Sequence, residues 1–215
     1  MSFKPVPTKQ FIRIIVRSVF RAILIVLFRV HVQNLENFER AGDRVVLIAN
    51  HTSLLDGVLM AVFMPERITF AINTTWSKKW WIKIFKSLVD LYALDPTNPM
   101  ALRSLITVVK QGKKVMIFPE GRITVTGALM KMYDGAAVVA DKAGAKLLPV
   151  RIQGVDTSVF SYQKNFLVQK RFPKITLNIR PAVSLNVPNE LLGKARRKVL
   201  EQRLYVTMTN MIYET

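Results

Sequence analysis

The sequence predicts one α/β domain with an appended N-terminal helix, and three observations carry that expectation. Apolar runs of strand length recur at Val45 to Ala49, Ile68 to Ile72, Lys114 to Phe118 and Leu147 to Ile152, with an alternating run from Ile175 to Ile179. Stretches of helical length separate several of these runs, the pattern of strands joined by helices. The chain has 215 residues, enough for one sizeable core and no second domain. The expected division is 1–33 for the helix and 34–215 for the domain. A net charge of +18 accompanies 50% hydrophobic residues, and basic, greasy chains suit a membrane surface better than a nucleic acid. The absence of cysteine excludes disulfides, thiolate nucleophiles and Cys-based zinc sites, and fits a cytoplasmic setting.

Taken in order, residues 8–30 place Arg13, Arg17 and Arg21 at four-residue spacing, a cationic stripe with Ile12, Ile15, Val19, Phe20 and Ile23 around it. No uncharged apolar run there approaches the roughly 18 residues a spanning helix needs, so a shallow interfacial anchor is expected. A signal peptide competes, but arginines interrupt the apolar part and no small-residue cleavage site follows. The polar stretch 34–43 ends in a turn, Ala41-Gly42-Asp43, leading into the first strand. After an apolar helix at Val58 to Phe63, Pro65-Glu66-Arg67 breaks the chain before the second strand. All three tryptophans, Trp76, Trp80 and Trp81, then alternate with Lys78, Lys79, Lys83 and Lys86, alongside Ile84 and Phe85. That pattern reads as a membrane-interface helix, against a core helix whose lysines reach solvent. Leu91 to Leu94 leads into a loop, and a helix follows from Met100 to Lys110, closed by Gly112. The third strand ends at Pro119-Glu120-Gly121-Arg122; a second helix runs to Ala143 and stops at Gly144. Pro149 assigns the fourth strand to a sheet edge or a strand start. Residues 157–189 lack acids but contain Lys164, Lys170, Arg171, Lys174 and Arg180, a second docking surface. The chain finishes as a helix over Glu190 to Tyr213, with Lys194, Arg196, Arg197 and Lys198 on its early turns.

Chemistry concentrates in Asn50-His51-Thr52-Ser53-Leu54-Leu55-Asp56, directly after the first strand. His51 is one of two histidines, and its partner His31 has no nearby carboxylate until Glu36. Histidine suits proton transfer near neutral pH, with an ordinary pKa of roughly 6.5. A carboxylate five positions on can hold one ring nitrogen and leave the other to a substrate. Ser53 to Asp56 also fits a helix-capping box, in which Asp56 serves backbone donors instead. At the second block, Gly121 permits a tight turn, Arg122 is placed to clamp a phosphate, and Glu120 to orient that arginine or accept from a hydroxyl. An ordinary Pro-Glu-Gly turn is the competing reading.

Asn50-His51 with Asp56, then Phe118-Pro119-Glu120-Gly121, then Leu148-Pro149-Val150 resembles, in order and strand context, the glycerolipid (1-acylglycerol-3-phosphate) acyltransferase family over residues 30–185. Within it, 118–127, 131–135 and 148–154 look like the N-terminal acyltransferase domain of bifunctional 2-acylglycerophosphoethanolamine acyltransferase/acyl-ACP synthetases. The resemblance implies a mixed central sheet flanked by helices, and His51 and Asp56 as a catalytic dyad. Glu120, Gly121, Arg122, Asn50, Lys131 and Asp95 are the substrate-binding candidates. It implies an acyl thioester donor, acyl-ACP or acyl-CoA, a lysophospholipid acceptor, no metal or redox cofactor, and a place on the cytoplasmic face of the inner membrane. Leu94-Asp95-Pro96-Thr97 occupies the place where the family often has an arginine, and Arg122 follows the glycine where phosphatidate-forming members have threonine and then arginine. Both departures point to a zwitterionic acceptor, 2-acylglycerophosphoethanolamine, with Asp95 meeting its ammonium. Acyl transfer to lysophosphatidate is the alternative. A lipid or thioester hydrolase and a non-catalytic membrane binder are further rivals, and no nucleic-acid motif is present.

Overall fold

The computed structural model of the protein describes residues 8–74, 85–86, 88–94, 99–163 and 165–213. Its elements are α1 (Thr8–Phe28), β1 (His31–Gln33), α2 (Glu36–Arg40), β2 (Val45–Ala49), α3 (Leu55–Phe63), β3 (Thr69–Asn73) and β4 (Asp90–Leu94). There follow α4 (Pro99–Lys110), β5 (Val115–Ile117), α5 (Gly135–Ala143), β6 (Lys146–Gln153), β7 (Thr176–Ile179) and α6 (Gly193–Tyr213). The strands form one mixed sheet in the order β1-β7-β6-β2-β5-β3-β4. Every neighbouring pair is parallel except β6 and β7.

Strand β2 lies inside this sheet and is fully buried, which is why its sequence is an unbroken apolar run. Val45, Leu47 and Ala49 join a core with α1 and α3; Val46 and Ile48 join the opposite core with α4, α5 and α6. Each fully buried Val, Leu or Ile contributes roughly 1.5–3 kcal/mol. On the second face, alanines 136, 137, 140 and 143 keep α5 slim against the sheet, and Gly144 ends it in the left-handed region at φ 62°.

The structure corrects several expectations. Pro149 sits in β6, between β2 and β7, and not at an edge. Its carbonyl accepts from Arg180 N at 2.9 Å, just beyond the last antiparallel pair, Val150 with Ile179. The missing N–H falls on that same side, where the pairing slips by one residue before resuming at Leu147 with Val183, an irregularity at which proline is tolerated. Strands β1 and β4 occupy the two sheet edges, and α2 fills part of the stretch read as a polar connection. The last helix begins at Gly193, three residues after Glu190. On it, Arg196 pairs with Asp141 through Nε at 2.9 Å and Nη2 at 2.5 Å, and Arg197 pairs with Asp134 at 2.6 and 2.9 Å. Both side-chain hydrogen bonds raise the arginine pKa values further, and both arginines clasp α6 to α5.

Within the arginine stripe of α1, Arg17 turns towards the protein. Arg17 donates to Val62 O at 3.1 Å and to Met64 O, where α3 ends. Burial, and the neighbouring charge of Arg21, lower the Arg17 pKa. Arg21 lies over the Phe63 ring at 5.4 Å. A cation at a helix C-terminus satisfies carbonyls that have no intrahelical partner. Leu24 and Phe28 complete the inward face, while Phe11, Ile12, Ile15, Val19, Ile23 and Val26 are exposed. No described helix is long and apolar enough to cross a membrane. The tryptophan segment 75–84 and Asp95 lie outside the described residues, as does Lys164. Phe85, expected on that interface patch, is buried, edge-on to Phe70 at 5.3 Å.

Candidate active site

The site forms where the carboxyl ends of parallel strands β2, β5 and β6 lie side by side, the usual ligand edge of an α/β sheet. His51 leaves β2 here and Asp56 enters on the first turn of α3. The His51 Nδ1 lies 2.9 Å from Asp56 Oδ2. That same oxygen accepts from Thr52 N at 2.7 Å and Ser53 N at 2.9 Å, and Asp56 is wholly buried. Ser53 Oγ in turn accepts from Leu55 N at 3.1 Å. Capping and dyad are therefore one arrangement: the carboxylate that gathers the helix-entry amides also accepts from the imidazole. An ionised carboxylate only accepts, so Nδ1 carries the proton and Nε2 keeps its lone pair. The His51 side chain is 19% exposed, enough to meet a substrate. Phe118 stacks on it with centroids 4.0 Å apart and planes 17° apart, fixing the ring orientation.

Glu120 is buried and turned towards the backbone. Its Oε1 accepts from His51 N at 3.1 Å and its Oε2 from Met130 N at 3.4 Å. Burial pushes its carboxyl above the ordinary value, opposed by those two N–H groups and by the His51 ring. The expected contact with Arg122 is absent: among the described residues no ion pair joins them, and Arg122 and Lys131 are exposed. Glu120 needs its oxygens for bracing because the loop it closes has no ladder of its own. Asn50 braces as well. Its Nδ2 donates to Ile152 O at 2.9 Å and its Oδ1 accepts from Ile152 N at 2.8 Å, so the amide extends the pairing of β2 to β6 by one side chain. Gly121 takes φ 66° at the turn closed by its N–H to Phe118 O at 3.0 Å, and a Cβ there would press on the Tyr133 ring.

The segment 160–162, read from sequence only as part of a basic docking surface, clamps the loop of His51 and Asp56. Tyr162 N and Ser161 Oγ both donate to Thr52 O at 3.4 Å, and Ser53 Oγ donates to Phe160 O at 3.0 Å. Only the serines at 158 and 161 hinted at it, and no spacing links them to His51. Gly154, at φ 85°, lets this segment leave β6 against the Lys174 carbonyl, which a Cβ would overlap. Asn50, Thr52, Glu120, Arg151 and Gln163 line a cavity of about 240 Å³ on which His51 does not appear. Thr52 Oγ1 and Gln163 Nε2 are buried there without a hydrogen-bond partner among the described residues. Among those residues no cluster of His, Asp or Glu has the makings of a metal site.

Fold and site together define an α/β protein carrying a histidine whose ring is oriented by a buried carboxylate at the carboxyl edge of a mixed sheet. The acyltransferase family profile matches residues 29–153, more than half of the chain, and the chain belongs to that family. It is 26% identical over 181 residues to the chloroplastic 1-acyl-sn-glycerol-3-phosphate acyltransferase of Arabidopsis thaliana, covering 81% of this chain and 49% of that protein. The 1-acyl-sn-glycerol-3-phosphate acyltransferase of Bacillus subtilis is 27% identical over 138 residues, 63% of this chain and 68% of its own. The chain thus spans about half the length of the Arabidopsis relative. The fold matches the crystal structure of PlsC, the 1-acyl-sn-glycerophosphate (LPA) acyltransferase from Thermotoga maritima, with a TM-score of 0.64 at 22% identity, covering 96% of this chain and 82% of that one.

Proposed function

We propose that the protein transfers an acyl group from a thioester to the free glycerol hydroxyl of a lysophospholipid, with lysophosphatidate as acceptor. The observation that carries this reading is the 2.9 Å contact between His51 Nδ1 and a buried Asp56 oxygen, which leaves Nε2 free beside solvent. The Nε2 lone pair takes the hydroxyl proton as the oxygen attacks the thioester carbonyl. The resulting tetrahedral oxyanion collapses with cleavage of the C–S bond, and the imidazolium returns the proton to the thiolate. Asp56 stabilises the transient positive charge without being protonated itself. The atoms balance with no metal or redox group.

The choice of acceptor rests on the relatives, whose names specify 1-acyl-sn-glycerol-3-phosphate. Sequence reading alone favours 2-acylglycerophosphoethanolamine, on Asp95 and the missing arginine, and that remains the second reading; with it goes the likeness to the bifunctional synthetase domain. Exposed Arg122 and Lys131 are assigned to the acceptor phosphate, while Asn50 and Glu120 hold the site in shape. The outward apolar face of α1 docks on the cytoplasmic leaflet of the inner membrane, where the acceptor resides. Purified protein given acyl-ACP or acyl-CoA and a panel of lysophospholipids tests the proposal. Lysophosphatidate is the preferred acceptor, and His51→Ala lowers kcat/KM by about 10³-fold or more. Acyl release to water in place of transfer, or full activity in His51→Ala, defeats it.

A further inference from the structure

Between β6 and β7 the chain makes a closed excursion. Its neck is tied by Lys170 N donating to Thr157 O at 2.7 Å and by a bridge pairing Ser158 with Lys170. Its outer part exposes large apolar side chains that a water-facing loop has no use for: Val168 is 85% exposed, Phe166 65% and Val159 55%, with Phe160, Tyr162 and Phe172 also exposed. Lys170, Arg171 and Lys174 are exposed beside them, and no acid occurs anywhere in 157–189. Exposed apolar clusters rimmed by charge mark interaction sites.

We propose that the excursion 158–172 is a second bilayer-docking element, which inserts Phe166 and Val168 into an anionic phospholipid surface beside α1. Two observations select this occupant. The excursion is continuous with the apolar end of α1: Phe28 meets Phe172 edge-on at 5.6 Å and Phe160 at 6.4 Å, and Arg29 Nη2 donates to Phe172 O at 2.9 Å. One apolar surface therefore runs from the α1 helix onto the excursion. Its flanking charge is wholly basic, the complement of an anionic leaflet. The placement also has a mechanistic meaning, because Phe160, Ser161 and Tyr162 hold the Thr52-Ser53 backbone beside His51. The element that meets lipid is the one that clamps the dyad loop. This inference rests on the membrane-docking part of the proposed function and is independent of the acyl-transfer chemistry.

The chain has no cysteine, so a single introduced one carries a site-specific probe. Val168→Cys and, on α1, Val26→Cys are each labelled with an environment-sensitive fluorophore. Each is mixed with phosphatidylcholine vesicles containing phosphatidylglycerol, with pure phosphatidylcholine vesicles, or with holo acyl carrier protein. The expected result is a blue shift and shielding from an aqueous quencher at both positions on the anionic vesicles, much weaker on the neutral ones. The unlabelled double variant Phe166→Ser/Val168→Ser keeps its circular dichroism and partitions about tenfold less onto anionic vesicles. A response at Val26→Cys with none at Val168→Cys overturns the inference and leaves the docking of α1 intact. A response at Val168→Cys to acyl carrier protein without vesicles, and none to lipid, overturns it in favour of a protein partner. No vesicle binding at all overturns both.

Discussion

Helices α1 and α6 are both 21 residues long and cover opposite faces of the same sheet, yet they meet water in opposite ways. On α6, Leu200, Leu204, Met208 and Met211 form the buried stripe, and arginines on its early turns reach across to α5. On α1, Arg17 turns inward to the end of α3, exposed Arg21 covers the Phe63 ring there, and the outer face is rich in Ile, Val and Phe. Burying a cation against carbonyls and leaving isoleucine outside is unfavourable in water. It becomes favourable where, as proposed, the outside is lipid. The dyad face belongs to α1's side: His51 stacks on Phe118, which packs against the core shared with α1 and α3. Under the function proposed above, one side of the sheet holds the molecule together and the other meets an amphiphilic substrate.

Substitutions on the two faces separate these duties. Asp56→Asn gives the largest effect: three donors converge on Oδ2 alone and Oδ1 has no partner among the described residues, so the amide oxygen can still accept from them, but a neutral amide no longer stabilises the imidazolium. Steady-state kinetics should show a loss of about 10²–10⁴-fold in kcat/KM, and denaturation a stability loss of about 1–3 kcal/mol. On the opposite face, Leu204→Ala leaves a cavity costing about 2–5 kcal/mol, while kcat/KM measured well below Tm stays at the wild-type value. Equal losses of activity and stability in this variant would erase the division between faces. The pair Ile15→Ser/Val19→Ser on α1 leaves Tm unchanged and weakens sedimentation with anionic vesicles by about tenfold. The matching exposed pair on α6, Tyr205→Ser/Val206→Ser, leaves sedimentation unaltered, and a like effect from both pairs would break the comparison. The smallest effect is pH-dependent. Burial raises the Glu120 pKa, so its ionised form subtracts stability above the folded pKa, and the deficit fades as pH falls towards the unfolded value. Wild-type stability relative to Glu120→Gln therefore rises between about pH 7 and about pH 4, and a flat difference would contradict it.

The interior strands were legible because burial on both faces writes itself as an apolar run, as in β2, β5 and β6. Strand β1 was not, because it is a half-exposed edge strand of three residues, and in β4 the four-residue apolar run Leu91 to Leu94 is too short for periodicity to assign. The five-residue step from His51 to Asp56 was legible as a possible pair, but local pattern set capping against proton relay. The structure shows why that choice could not be made: one oxygen serves the imidazole and two amides. Helical spacing revealed that Arg13, Arg17 and Arg21 share a face without revealing which way the face points, since that depends on where α3 ends. The bracing parts of Asn50 and Glu120 were hidden for a related reason. Their partners, Ile152 and Met130, are backbone groups, and a backbone group has no letter in the sequence.

Glu120 and Asp56 between them take up three consecutive amides: His51 N goes to one carboxylate, Thr52 N and Ser53 N to the other. These residues lie in no strand or helix, where amide protons ordinarily exchange with solvent deuterium quickly. Held this way, they open only when the buried carboxylates let go, an event tied to disruption of the core itself. The loop bearing His51 then shares its opening free energy with the central strands. The imidazole keeps its aim for as long as the protein stays folded.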